Sequence, residues 1–118
     1  MPNQIQNQTP IAGLRGLHAY QVALSFYREA LSAVRGMRGH VVEQLVRAAE
    51  SVVLNVAEAH PAIGADRARR FRVAADEASE CGAALDLLEV RGALDEQTLA
   101  ALRGLLDRER AMLWRLSR

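Results

Sequence analysis

Four arginines fall within six residues in the run Asp66-Arg67-Ala68-Arg69-Arg70-Phe71-Arg72. A guanidinium is always charged and presents a planar fork of donors that fits a phosphate or a carboxylate two-pronged. Four so close together read as a grip for anions. Asp66 offers itself as a helix N-cap, which would place the arginines in the first turns of a helix, the end whose dipole disfavours cations. A second chemical pattern is Gln44, Arg47, Ser51, Asn55 and Glu58, recurring at 3, 4, 4 and 3. At that spacing the five form one hydrogen-bonding ridge on a helix otherwise rich in valine. The ridge is either a solvated face or a partly buried structural polar network, and in the second case Arg47 and Glu58 both need partners.

The other candidates for chemistry are weak. A di-iron site in a helical bundle needs a Glu-x-x-His pair on each of two helices. None of His18, His40 and His60 follows a glutamate at that distance, and His40 has Glu43 after it, the reverse order. No metal and no cofactor are therefore expected. Cys81 lies on an apolar stripe beside Gly82, where small residues let helices approach closely, so it reads as a packing thiol. There is no glycine-rich phosphate loop. The sequence points away from an enzyme.

Four periodic segments must position these residues. The first carries Leu17, Tyr20, Leu24, Tyr27, Leu31 and Val34 at alternating spacings of 3 and 4, and is stopped by Gly36 and Gly39. The second carries Val42, Leu45, Ala49, Val52, Val56 and Ala59 and ends at His60-Pro61. Phe71, Ala74, Ala78, Cys81, Leu85 and Leu88 form the third stripe, closed by Gly92. Asp95 caps the fourth, where Leu99, Leu102, Leu106, Leu113 and Leu116 keep step and Glu109 is the exception. Short links between four such helices make sequential neighbours antiparallel. The expected fold is all-α, an up-down-up-down four-helix bundle over residues 14–118, preceded by a polar, flexible arm over 1–13.

Composition agrees with one small domain. The 118 residues are 50% hydrophobic but only 4% aromatic, a core of Ala, Leu and Val that suits close-packed helices. The 15 basic residues are all arginine, and with 14 acidic ones they leave a net charge of +1. Arginine without lysine follows from a GC-rich genome or from selection for two-pronged forks. A single cysteine excludes an internal disulfide and fits a reducing compartment. With no apolar run long enough for a membrane and no leader-like start, a cytoplasmic location is expected and no membrane partner.

Topology makes the near-neutral chain lopsided. The bundle end shared by the starts of helices one and three and the ends of two and four collects Arg15, Arg67, Arg69, Arg70, Arg72, Arg115 and Arg118, against Glu58 and Asp66. The opposite end mixes Arg35, Arg38 and Arg91 with Glu89, Asp95 and Glu96. The lopsided end is a footprint for a phosphate backbone or a solvated face offset by carboxylates of another subunit. Surplus apolar residues (Val41, Val46, Val53 and Leu54, then Leu105, Met112 and Trp114) predict a homo-oligomer.

The second-helix residues Gln44, Arg47, Ala48, Ser51, Val52, Asn55, Val56, Ala57 and Glu58, followed by Phe71, Val73, Ala74 and Glu80, carry a resemblance. The chain resembles the bacterial four-helix-bundle family named after proteins encoded in intervening sequences of large-subunit ribosomal RNA genes. The accessory variability determinant proteins of diversity-generating retroelements are relatives of that family. Ala59 stands at a usual glycine, and Asp76 and Glu77 at a usual Gly-Ser pair. The resemblance implies a ring-like homopentamer, adds Glu80 to the structural polar network, and for the retroelement relatives implies partners among RNA or DNA and a reverse transcriptase. Two functions follow as expectations: a nucleic-acid-binding accessory factor using Arg67, Arg69, Arg70, Arg72, Arg115 and Arg118, or a structural or adaptor oligomer that binds a protein.

Overall fold

A glycine and an aspartate write the turn between the last two helices of this chain. In the computed structural model, which describes residues 13–15 and 17–118, four long helices follow one another: α1 (His18–Ala33), α2 (His40–Ala59), α3 (Gly64–Val90) and α4 (Glu96–Leu116). Past the end of α3, Gly92 takes φ +67°. There its N–H bonds the carbonyl of Glu89 at 2.9 Å while Ala93 N–H bonds that of Leu88 at 3.0 Å. That double bond pattern satisfies carbonyls the helix leaves open and requires the left-handed conformation glycine adopts freely. Three residues later Asp95 caps α4, its Oδ1 accepting from Thr98 N–H at 2.7 Å. The α3–α4 link is thereby short, and the helices run antiparallel.

Each helix packs on its two neighbours, with α4 closing back on α1 and the α2–α3 pair the most extensive. The fold is an all-α four-helix bundle. Arg72 at the start of α3 reaches the carbonyl of Ser117 beyond α4, and a Cβ on Gly13 would sit 3.5 Å from His60 Nε2. Those contacts put the start of the described chain, the end of α2, the start of α3 and the end of α4 together. The arm expected over residues 1–13 lies outside the described residues except for Gly13.

The stripes expected on α2 and α3 are the core. Leu45, Val56, Phe71, Leu85 and Leu88 are essentially without solvent contact, and a fully buried side chain of this size stabilises by about 1.5–3 kcal/mol. Ala48 and Ala49 on α2 and Ala74 and Ala78 on α3 are fully buried, and side chains this small let the two backbones approach. Gly82 is not needed for that: an added Cβ would meet Leu106 Cδ2 at 3.7 Å, an ordinary contact.

The α1 expectation needs correction. Its buried residues are Ala19, Val22, Ala23, Phe26 and Ala30, one position round from the expected stripe, of which Val34, just past the helix, is buried as expected. Tyr20 and Tyr27 are half-buried, while Leu24 and Leu31 are exposed. The alanines let α1 lie close to the core with Phe26 filling its centre, so the bulkier stripe turns toward the rim. Of the surplus apolar residues, Val41 and Val53 belong to the chain's own core, and Val46, Leu105 and Met112 pack against it. Only Leu54 and Trp114 among them are exposed.

Candidate nucleic-acid interface

The start of α3 is built without the expected cap. Ile63, extended at φ −129° and ψ 157°, precedes the helix and makes no side-chain cap bond. Asp66 sits inside the first turn, because Gly64, at φ +61°, starts the helix two residues earlier. From there the aspartate looks along its own helix. Its Oδ1 accepts from Arg69 Nη2 at 3.0 Å and its Oδ2 from Arg70 Nε at 3.0 Å. Arg70 and Arg69 hold the Asp66 carboxyl below its ordinary value, and Asp66 in turn raises Arg70. Arg70 Nη1 also crosses to Glu58 Oε1 on α2 at 3.2 Å. Arg69 and Arg70 are therefore partly spoken for.

Of the remaining arginines of this end, Arg67 is half-buried and Arg15, Arg72, Arg115 and Arg118 are exposed. Arg67 lies over the Phe71 ring at 4.8 Å. Arg72 donates Nη1 to the Ser117 carbonyl at 3.3 Å, one of the acceptors that a helix end leaves open. Arg115 stands exposed in the last turn of α4, where the dipole favours it. Arg118 stacks its guanidinium 4.2 Å over the Trp114 ring. Arg15 is exposed, and its carbonyl accepts from Gln21 Nε2 at 2.7 Å. Among the described residues, Arg15, Arg67, Arg72, Arg115 and Arg118 have no carboxylate partner, since Asp66 and Glu58 turn to Arg69 and Arg70.

The ridge on α2 divides into three pieces. Arg47 Nη2 donates to Gln44 Oε1 at 2.8 Å and to Glu80 Oε1 of α3 at 2.9 Å, with Glu77 at 3.8 Å. Asn55 Nδ2 donates to the Ser51 carbonyl at 2.8 Å and to Ser51 Oγ at 3.0 Å. Glu58 pairs with Arg70. Arg47 and Glu58 do not share a partner: eleven residues apart on one helix they stand about 16 Å from each other. The Arg47 side chain is 53% exposed, so this is an inter-helix clasp at the rim and not a buried pair.

Sequence reasoning noted Glu109 only as an irregularity on α4. It is 1% exposed, and neither carboxylate oxygen has a hydrogen-bond partner. Desolvation pushes its carboxyl up to about 8, so near neutrality it is held as the neutral acid. Cys81 is buried as well, and burial, aided by Glu77 and Glu80, pushes its thiol up to about 12. A thiol so placed is neither nucleophile nor ligand at neutral pH. Among the described residues no group of three or more His, Cys, Asp or Glu is placed to hold a metal ion, and no helix is long and apolar enough to cross a membrane.

Residues 16–115 match the family described as 23S rRNA-intervening sequence protein. The chain belongs to that family. The match spans all four helices, the α2 ridge and the arginine run alike. No curated protein matches the chain. In this intervening-sequence protein the sequence signal for the arginine-rich end was density of one residue type, and the helix ends that carry those arginines lie together in the structure. By sequence Trp114 reads as a surplus apolar residue; in the structure it lies under Arg118, four residues along, and the seam between α3 and α4 brings it beside Arg69 and Arg72.

Proposed function

We propose that the protein is a non-enzymatic, self-assembling bundle that holds nucleic acid by its phosphate backbone at the arginine-rich end. The observation that carries this is the set Arg15, Arg67, Arg72, Arg115 and Arg118, gathered at one end with no carboxylate partner among the described residues. A family named for a ribosomal RNA intervening sequence supports RNA as the partner. Assembly is supported by Leu24 and Leu31, exposed one turn either side of Tyr27, and by Leu54, exposed one turn beyond Glu50. Tyr27 Oη donates to Glu50 Oε2 at 3.3 Å across the α1–α2 seam, so these leucines share one side of the bundle. A ring of five copies is the assembly the family resemblance favours. A lone, reduced thiol suits a cytoplasmic setting.

The test is a fluorescence-anisotropy titration of labelled RNA and DNA at several salt concentrations, with solution mass measured by light scattering on the same sample. Backbone binding weakens steeply with salt, with a slope of about −0.9 per phosphate contact on duplex DNA. Replacing Arg72 and Arg115 by Ala should flatten that slope by up to about two and weaken unrelated sequences alike. Absence of binding at low salt overturns the nucleic-acid reading in favour of a protein-binding adaptor. A mass near that of the 12.9 kDa chain overturns assembly.

A further inference from the structure

The α3–α4 seam ends in a cleft of about 570 Å³ whose walls include Trp114, Val73, Arg69, Arg72, Asp76 and Arg118. Its chemistry is graded. Arg69, Arg72 and Asp76 follow one another along α3 at intervals of three and four residues, so the cationic groups lie toward the bundle end and the carboxylate one turn further in. Trp114 borders Asp76 in this cleft and also in the next one along the seam, of about 420 Å³. The indole is 59% exposed, whereas Phe26 and Phe71 are buried and Tyr20 and Tyr27 half-buried. One face of it already carries a flat, delocalised group, the Arg118 guanidinium at 4.2 Å.

We propose that this cleft takes an unpaired nucleotide, the base stacked on Trp114 and its phosphate gripped by Arg72 and Arg69. The proposal rests on the nucleic-acid reading above and names its substrate as a single strand. Stacking on an exposed aromatic beside a cationic track is how proteins hold single strands without reading sequence. A base has the planar form of the guanidinium now seated there, and any base offers a π face. Arg72 uses one donor on Ser117 and Arg69 one on Asp66; each guanidinium has five donors, so both keep several for phosphate oxygens. Asp76 repels phosphate from the inner part of the cleft and can accept from a base's exocyclic amine, which fixes the polarity of the bound nucleotide. Duplex does not suit this site, because its bases are already stacked on one another and out of the indole's reach. A second copy of the chain does not suit it either. Interface cores are depleted in charge, and this cleft carries three arginines, while Leu24, Leu31 and Leu54 lie exposed on the α1–α2 side of the bundle, opposite.

Trp114 is the chain's one tryptophan, so its emission reports on this cleft alone. The experiment titrates the protein at low salt with an unstructured twelve-nucleotide RNA, the same sequence as DNA, the matching duplex, and heparin as a base-free polyanion. Quenching by both single strands but not by duplex or heparin is the expected result, and a preference for RNA or for neither supports it equally. In anisotropy titrations Trp114→Ala should weaken single-strand binding roughly 5- to 100-fold, leaving duplex affinity and the salt slope unchanged, and Trp114→Phe should retain most of it. Helical content by circular dichroism controls for folding. If salt-dependent binding persists with emission unmoved and Trp114→Ala indistinguishable from wild type, the stacking site is wrong and the backbone reading stands. If nothing binds, both fall together. Emission that follows protein concentration alone, with loss of assembly in Trp114→Ala, overturns the proposal in favour of a subunit contact.

Discussion

Glu109 and Asp66 are both carboxylates on helices of the same bundle, and their surroundings could hardly differ more. Asp66 is exposed and holds two guanidiniums. Glu109 is enclosed and holds none. At the surface, water already solvates each charge, so an ion pair adds little to stability and chiefly redistributes the local field. Burial at 1% exposure strips that solvation from Glu109, and the unpaired group keeps its proton because ionising would be so costly. The lesson is that pairing at the arginine-rich end sets which guanidiniums stay without a carboxylate, whereas the core carries a titratable penalty that no partner offsets.

The sharpest way to break this comparison is pH. The folded protein keeps the Glu109 proton until about pH 8, while the unfolded chain loses it near the usual 4.5. Between those values the unfolded state binds fewer protons, so stability falls as pH rises from about 4.5 to about 8 and levels off beyond. One pKa unit corresponds to about 1.4 kcal/mol, which makes the loss on the order of 5 kcal/mol. Glu109→Leu should remove this slope and leave the fold more stable by a similar amount at pH 8.5. Urea denaturation of both proteins at pH 5 and pH 8.5 decides it, and parallel pH dependences would show that the carboxyl is solvated.

A smaller effect is expected at the rim. Arg47 clasps Glu80 while half exposed, so Arg47→Ala should lower stability by at most about 1 kcal/mol. A loss of 3–5 kcal/mol, the range for breaking a buried pair, would mean that another surface covers this clasp in solution. The unfolding midpoint with and without dilution separates the two outcomes.

The smallest change in stability belongs to Asp66→Asn, which should leave the midpoint within error. Its effect should appear in binding, because Arg69 and Arg70 lose the carboxylate that now occupies them. Affinity for nucleic acid at low salt should rise and the salt dependence steepen. Unchanged or weaker binding would show that Asp66 positions these arginines and does not compete for them.

How far the sequence carries depends on what each residue's role requires. The α2 and α3 stripes were legible because every position on them is apolar and every one is buried. On α1 the larger residues drew the eye to Leu24 and Leu31, when Ala19, Ala23 and Ala30 mark the inner face. Alanine is too small to announce burial by type, and its value lies in letting helices meet. Asp66 followed the cap pattern, but a glycine two residues earlier had already started the helix. The density of arginine was visible in one dimension, whereas the pairing of Arg70 with Glu58, the crossing of Arg47 to Glu80 and the meeting of Trp114 with Arg72 all depend on inter-helix register. Periodicity does not contain that register.

The closed ring of helices has one more consequence. The α1–α2 seam and the α3–α4 seam share no helix, and substitutions at well-separated sites with no common partner have effects that add. Exposed residues on one flank can accordingly drift through inherited change without demanding compensation on the other. A lineage built on this bundle is free to alter its arginine-rich flank and its leucine-bearing flank on separate clocks, and the two surfaces need carry no shared history.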